Sequence, residues 1–190
     1  MHTAEAPPSI ADPAPLGLAG FGTTTLILSV VLAGWIPAAS AGAALAMAAA
    51  YGGTAQFLAG MWAFRRGNTF AATAFTSYGA FWWSFYLLNV VFAPGLGKAA
   101  GPALGLYLFT WGVFTLYMFI ASLHTTKAVQ LVFLLLFITY FLLAFSHWEN
   151  NAWLGYIGGY VGIATAVAAL YASFADVLNA SARRIILPTN

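Results

Sequence analysis

Residues 127–146 read KAVQLVFLLLFITYFLLAFS, an apolar run whose one charged side chain, Lys127, stands at its first position. A helix needs about 20 consecutive apolar residues to cross the hydrocarbon core of a bilayer. Hydrocarbon offers no hydrogen-bond partners, so a crossing segment must satisfy its own backbone, as a helix does. The strict alternation typical of a transmembrane β-strand is missing. The run therefore predicts a membrane-spanning helix.

Five further apolar runs, separated by Pro, Gly and charged residues, repeat this pattern. With the first, the six predicted spans are Leu16–Ile36, Ala38–Phe64, Thr69–Phe92, Pro102–Leu123, Lys127–Ser146 and Ala152–Leu178. Of all 190 residues, 62% are hydrophobic and 5% charged, whereas a soluble domain carries about 25% charged residues. We predict an all-α integral membrane protein, a six-transmembrane-helix bundle. Its domain would cover residues 12–182, between a flexible N-terminal tail (1–11) and a short C-terminal tail (183–190).

Basic residues are distributed unevenly between the connections. One side of the six predicted spans carries Arg65, Arg66, Lys127, Arg183 and Arg184, and the other carries Lys98. Cytoplasmic connections of membrane proteins are enriched in Lys and Arg. We therefore expect a multi-pass protein of the cell (inner or plasma) membrane with both termini in the cytoplasm.

Few groups in the chain could support catalysis or metal binding. There is no cysteine, and the three histidines, His2, His124 and His147, lie far apart in the sequence. No Asp, Glu, Lys, Arg or His occurs in residues 13–64, 67–97 or 99–123. No nucleophile–base pair, phosphate loop or metal-ligand spacing can be built from the remainder. We expect a protein that is not an enzyme, with no metal, cofactor or nucleic-acid partner, and no titratable group near the bilayer centre to carry a proton.

Polar residues within the apolar spans are candidates for a solute path, because a buried hydroxyl or amide is costly unless it is hydrogen-bonded. In the third span, hydroxyl groups recur every three or four residues and so share one helix face. The alternative is that each hydroxyl only bonds helix to helix, as is common in membrane bundles. As a set, the residues favour a path for a small solute. The path residues we predict are Thr24, Thr25, Gln56, Thr73, Thr76, Ser77, Trp111 and Thr115.

A short pattern in the first span recurs in the fourth. Leu16-Gly17-Leu18-x-x-Phe21 is matched by Leu104-Gly105-Leu106-x-x-Phe109. Leu and Gly are abundant in this chain, so chance accounts for the match as well as duplication does. Since three spans separate the two copies, a true duplication would be a 3+3 inverted repeat, as in many transporters.

Several longer motifs resemble those of the acetate uptake transporter family, the succinate–acetate permease group. The sequence Asp12-Pro13-Ala14-Pro15-Leu16-Gly17-Leu18 is similar to that family's signature Asn-Pro-Ala-Pro-Leu-Gly-Leu. Further matches are Tyr51-Gly52-Gly53-x-x-Gln56, Gly67-Asn68-Thr69-Phe70, Ala74-Phe75-Thr76-Ser77-Tyr78-Gly79 and Trp111-Gly112-Val113-Phe114-Thr115-Leu116. The agreement extends from residue 12 to Pro188 with the motifs in the family's order.

The resemblance implies a homo-hexamer of six-helix protomers with a pore through each protomer. It also implies a narrow hydrophobic constriction, which the motif positions place at Phe21, Tyr78 and Leu136. The entrance motif would be Asp12, Pro13, Pro15, Leu16 and Gly17. Two positions depart from the family: Asp12 replaces the signature Asn, and Ala63 stands where Glu is usual. A carboxylate at Asp12 would repel an entering anion unless backbone N–H groups cap it or it is protonated.

These observations favour a membrane channel or permease for acetate and other small carboxylates, with succinate as a further substrate. The absence of a cation from the spans predicts weak binding and fast passage, as in a channel. A channel for a small neutral solute such as urea, an amide or ammonia is the alternative within transport. A membrane sensor or assembly scaffold is the alternative outside it, although the sequence has no soluble effector segment.

Overall fold

The computed structural model describes residues 10–190, and their secondary structure is entirely helical. Residues 1–9 of the predicted N-terminal tail, His2 among them, lie outside the described residues. The first helix, α1 (Ala14–Leu32), begins after Pro13 with Pro15 in its first turn. Proline is tolerated there because the first helical N–H groups have no intrahelical partner. The Asp12 carboxylate accepts a hydrogen bond of 3.0 Å from the Ala14 N–H and so caps this end.

The second apolar run forms a helical rod whose hydrogen-bond pattern changes midway. A short 3₁₀ turn (Ala38–Ser40) leads into α2 (Ala41–Met47), a π-helical stretch (Ala48–Ala55) and α3 (Gln56–Arg65). The Ala49 carbonyl, within the π-helical stretch, accepts hydrogen bonds of 3.1 Å from both the Thr54 hydroxyl and the Trp83 indole. Side chains thus satisfy an irregular backbone that lipid could not.

Residues Thr69–Ser122 form one apolar helical stretch of 54 residues. It contains α4 (Thr69–Leu87), a π-helical turn (Leu88–Phe92), α5 (Ala93–Leu96), a 3₁₀ turn (Gly97–Ala99) and α6 (Ala100–Ser122). The chain reverses around Gly97, whose φ of 51° disfavours any side chain. As a result α4 and α6 lie antiparallel: the rings of Phe81 and Tyr107 stack 5.7 Å apart, and Tyr78 contacts Thr115.

The last two long helices are α7 (Lys127–Trp148) and α8 (Ala152–Ala182). Four helical stretches of the described chain are long and apolar enough to cross a membrane: Ala14–Leu32, Thr69–Ser122, Lys127–Trp148 and Ala152–Ala182. The prediction of an all-helical protein with membrane-compatible helices is confirmed in this coarse form. Six crossings and the 3+3 inverted repeat stay predictions.

Glycine allows α8 to approach its neighbours closely. A Cβ atom on Gly22 of α1 would lie 2.9 Å from the Leu170 side chain, and one on Gly158 would lie 2.7 Å from Leu143. Gly159 packs in the same way against the backbone of Ala33. Close approach through small residues is how helices associate without a hydrophobic driving force.

The residues that follow α8 are hydrogen-bonded to the helices. The Asn179 side chain accepts hydrogen bonds from the N–H groups of Ile186 and Leu187, at 2.7 and 3.0 Å. The Tyr171 hydroxyl donates to the Pro188 carbonyl at 2.6 Å. The Thr189 carbonyl accepts from the Ala128 N–H, one of the unpaired donors in the first turn of α7. The predicted C-terminal tail, 183–190, is therefore anchored at the end where α7 begins.

Candidate functional site

Two cavities lie within the bundle, and we name each after one lining residue. The Thr25 cavity has a volume of about 240 Å³ and walls from α1, α2, α4, α6 and α7. The Asp12 cavity, of about 860 Å³, lies where α1, α4 and α7 begin and α8 ends. Three helices line both cavities in the same order along the chain: Leu18 then Thr25 on α1, Phe75 then Phe81 on α4, and Phe133 then Thr139 on α7.

The layer between the cavities contains the three side chains that the family motifs single out. Phe21, Tyr78 and Leu136 are each at most 4% exposed. Phe21 and Leu136 line the Thr25 cavity. The Tyr78 ring lies 5.9 Å from the Phe21 ring and 6.1 Å from Phe133, which lines the Asp12 cavity. Each of the three therefore lies between the two cavities along its own helix, and a constriction formed by them stays a prediction.

Tyr78 packs against α6 and is hydrogen-bonded to it. Its hydroxyl lies 2.9 Å from the Thr115 hydroxyl, and the ring packs edge-on against Phe114 with centroids 5.4 Å apart. Thr115 itself donates to the Trp111 carbonyl at 2.7 Å. Because that bond uses the single proton of Thr115, Tyr78 is the donor in the pair.

The Thr25 cavity is mostly apolar but includes two unsatisfied donors in its walls. The Thr25 hydroxyl and the Trp82 indole N–H are buried and have no partner among the described residues. A buried donor without a partner costs free energy that a bound acceptor would recover. Neither Lys nor Arg contributes to this wall. Both donor atoms have almost no accessible surface in this conformation, so a side chain must move before either can donate to a carboxylate oxygen in the cavity.

Most of the other predicted path residues line neither cavity in this conformation. They are Thr24, Gln56, Thr73, Thr76, Ser77, Trp111 and Thr115. Thr24 donates to the Gly20 carbonyl of its own helix at 2.8 Å, and Thr76 packs tightly against Gly60 of α3. The aromatic face of α4, rather than its hydroxyl face, turns toward the cavities, since hydroxyl-bearing positions are small enough for α3 to pack there. A place for these residues on the path stays a prediction.

The entrance motif lies at the Asp12 cavity, with Asp12, Pro15 and Leu16 in its wall. Gly17 is needed for packing, because a Cβ there would lie 2.6 Å from the Phe75 ring. The Asp12 carboxylate is not a bare charge: it caps α1 and lies 3.6 Å from the Arg66 guanidinium. Of the alternatives raised by the sequence, capping is the one observed, and Arg66 adds a counter-charge. Ala63 is fully buried, so a longer acidic side chain has no room there without rearrangement.

Sequence reasoning missed several lining residues. Asp176 is half-buried and lines the Asp12 cavity together with Asp12. On α7, Thr139, Tyr140, Leu143 and His147 line the Thr25 cavity. They follow Leu136 in successive steps of three or four residues, and this was the available signal, since such positions share one helix face. Within residues 10–190 no cluster of three or more His, Cys, Asp or Glu side chains could hold a metal ion.

Comparison with known proteins identifies the family. The model described as the GPR1/FUN34/yaaH family matches residues 2–190. The chain belongs to this family. Its resemblance to the acetate uptake transporters is thereby confirmed, and the proteins it matches include ones named as a symporter, a permease and a channel.

Three similar proteins match this chain over nearly its whole length. An uncharacterized protein of Methanothermobacter thermautotrophicus is 46% identical over 94% of this chain and 91% of its own length. The succinate-acetate/proton symporter SatP of Escherichia coli K12 is 42% identical over 94% of this chain and 95% of its own. A solved structure of the bacterial acetate channel SatP is 40% identical, covers 96% of this chain and all of its own, and superposes with a TM-score of 0.89.

Proposed function

We propose that this protein is a membrane channel for acetate and other small monocarboxylates, with succinate as a poorer substrate. The observation that carries the proposal is the pair of cavities, one on each side of the layer formed by Phe21, Tyr78 and Leu136. Solute would wait in either cavity and cross when these side chains move apart. The names of the SatP relatives, a symporter and an acetate channel, support the choice of substrate.

The membrane arrangement follows from the antiparallel contacts and the charges. Six crossings result if the rod Ala38–Arg65 is one span and Thr69–Ser122 is two, turning at Gly97. Arg66 reaches Asp12 at one end of the bundle, and Lys127 and Arg183 stand where α7 begins and α8 ends. By the positive-inside rule this end is cytoplasmic in the inner or plasma membrane. Protomers would assemble as a homo-hexamer, each with its own pore, as the family resemblance implies.

The chemistry of the Thr25 cavity suits weak binding of an anion. Removing a carboxylate from water is costly, and the hydroxyl of Thr25 and the indole of Trp82 offset part of that cost as hydrogen-bond donors once side-chain movement uncovers them. Because neither group carries charge, the anion is not trapped, which a channel requires for rapid release. The layer of Phe21, Tyr78 and Leu136 sets the size limit, and any accompanying proton travels on the acid itself.

The direct test is uptake of labelled acetate into proteoliposomes compared with liposomes without protein. We expect protein-dependent uptake that unlabelled propionate competes with and unlabelled urea does not. Thr25→Val, which removes one donor at constant shape, should lower the acetate rate severalfold. Thr23→Val is the matched control on the same helix, outside both cavities. Protein-dependent acetate uptake that is absent, or that urea suppresses as well as propionate, would overturn the proposal and favour the neutral-solute channel.

A further inference from the structure

His147 stands at the junction of two spaces. The Thr25 cavity continues toward the surface into a shallow recess of about 230 Å³. Asn89, Leu104 and His147 belong to the walls of both. These three residues therefore form the passage between the cavity and the exterior, at the end of the bundle opposite Asp12. Among the described residues that form this passage, the one titratable group is the imidazole of His147, on α7.

Two side chains of this passage, His147 and Asn89, have N–H groups that are not used in hydrogen bonds among the described residues. His147 is half-buried, and within the described residues its imidazole takes part in no hydrogen bond. Asn89 donates one amide proton to the Phe85 carbonyl at 2.8 Å. An amide has two such protons, and a protonated imidazole has two N–H donors. Together the two side chains can present up to three donors to a carboxylate.

The charges around the passage leave His147 as its one switchable cation. Among the described residues, the charged groups at this end are Lys98, in the 3₁₀ turn before α6, and Glu149, just after α7. The π-helical turn, α5 and the first turn of α6 add none, and neither does the first turn of α8. Tyr140 lies deeper on the same face of α7.

We propose that His147 and Asn89 form a recruitment site for carboxylates at this mouth, active when the imidazole is protonated. The inference rests on the proposed function, since it presumes that carboxylates pass. A cation at a channel mouth raises the local concentration of anions without holding them at the narrow point. Acidification on this side protonates the imidazole and so strengthens recruitment. Neutral solutes gain nothing from the site.

The test measures acetate uptake into proteoliposomes at equal internal and external pH, from pH 5.0 to 8.0, with uptake by empty liposomes subtracted at each pH. For the unmodified protein we expect the apparent KM to fall about fivefold as the imidazole gains its charge. His147→Gln should keep the high KM at every pH, and His147→Lys the low KM. His124→Gln, a histidine at the opposite end, is the matched control and should retain the wild-type profile.

The outcomes separate this proposal from the one on which it rests. If no variant shows protein-dependent acetate uptake at any pH, the proposed function fails. If His147→Gln transports acetate with the wild-type pH profile, the recruitment site is overturned and the channel stands. If Asn89→Leu leaves the KM at pH 5.5 unchanged, Asn89 has no part in the site. Monodisperse elution of each variant in detergent establishes that it is folded.

Discussion

The Tyr78 hydroxyl donates a hydrogen bond of 2.9 Å to the Thr115 hydroxyl, whose own proton goes to the Trp111 carbonyl. This chain of two bonds ties a residue of the layer between the cavities to the backbone of α6. Both residues are buried: Thr115 has no exposed surface, and Tyr78 is 3% exposed. The position of Tyr78 is therefore fixed in part by Thr115, a residue that lines neither cavity.

Thr115→Val should loosen this layer. The substitution preserves shape but leaves the Tyr78 hydroxyl without an acceptor, which costs about 1–3 kcal/mol in a buried setting. We expect a lower melting temperature and a relative rise in propionate over acetate uptake, because Tyr78 is freer to move. Thr110→Val is the matched control: Thr110 also bonds a carbonyl of α6, at 2.9 Å, but is exposed. Equal propionate-to-acetate ratios in the two variants would show that Thr115 does not position Tyr78.

Leu136→Ala should widen the layer directly. Leu136 is 4% exposed and faces the Thr25 cavity, so truncation enlarges the passage beside Phe21. We expect lactate-sized acids to be admitted, with the lactate-to-acetate uptake ratio rising severalfold and stability falling by about 2–5 kcal/mol. Leu135→Ala, one position away and outside both cavities, controls for loss of a leucine from α7. An unchanged lactate-to-acetate ratio would remove Leu136 from the size limit.

Sequence reasoning predicted the helices well because their signal is local. The Asn68 side chain caps α4 by accepting from the Ala71 N–H at 3.0 Å, as an Asn before an apolar run predicts. Gly158, Gly159 and Gly162 also recur at helical spacing on α8, and each lies in close contact with a neighbouring part of the chain. The anchoring of the C-terminal residues could not be predicted in this way. The hydrogen bonds from Ile186 and Leu187 to the Asn179 side chain require the chain to reverse after α8, and helical periodicity does not encode a reversal.

The site was harder to predict because helical periodicity shows which residues share one face of a helix but not what that face contacts. Thr73, Thr76 and Ser77 share a face of α4, and hydroxyls on a membrane helix serve helix packing and solute paths equally well. The close contact between Thr76 and Gly60 shows packing to be at least part of their role. Asp176 could not be placed from sequence, since its proximity to Asp12 joins the beginning of α1 to the end of α8.

Asp12→Asn combined with Asp176→Asn should favour the dianion. Asn still caps α1, while the two substitutions remove both carboxylates from the wall of the Asp12 cavity and leave Arg66 without its partner. Succinate carries two charges and acetate one, so the repulsion relieved is larger for succinate. We expect the succinate-to-acetate uptake ratio to rise about two- to fivefold at low salt.

Salt and position supply the controls for that experiment. The gain in the succinate-to-acetate ratio should shrink at high ionic strength, because exposed charges are screened. Glu149→Gln removes an exposed acid at the opposite end of the bundle, outside both cavities, and should leave the ratio unchanged. A ratio that stays at the wild-type value in the double variant at low salt would show that these carboxylates do not select between anions.

Gly79→Ala should destabilise the fold at the contact between α3 and α4. A Cβ atom at Gly79 would lie 2.7 Å from the Phe57 backbone nitrogen and 2.8 Å from its Cα. Backbone cannot rotate away as a side chain can, so the helices must separate, at a cost of about 1–3 kcal/mol. We expect the melting temperature in detergent to fall by several degrees. Gly42→Ala, on α2 with nothing within 4 Å of the new Cβ, should be neutral or stabilising. If both alanine variants have the melting temperature of the wild type, α3 and α4 are not as closely packed as this contact requires.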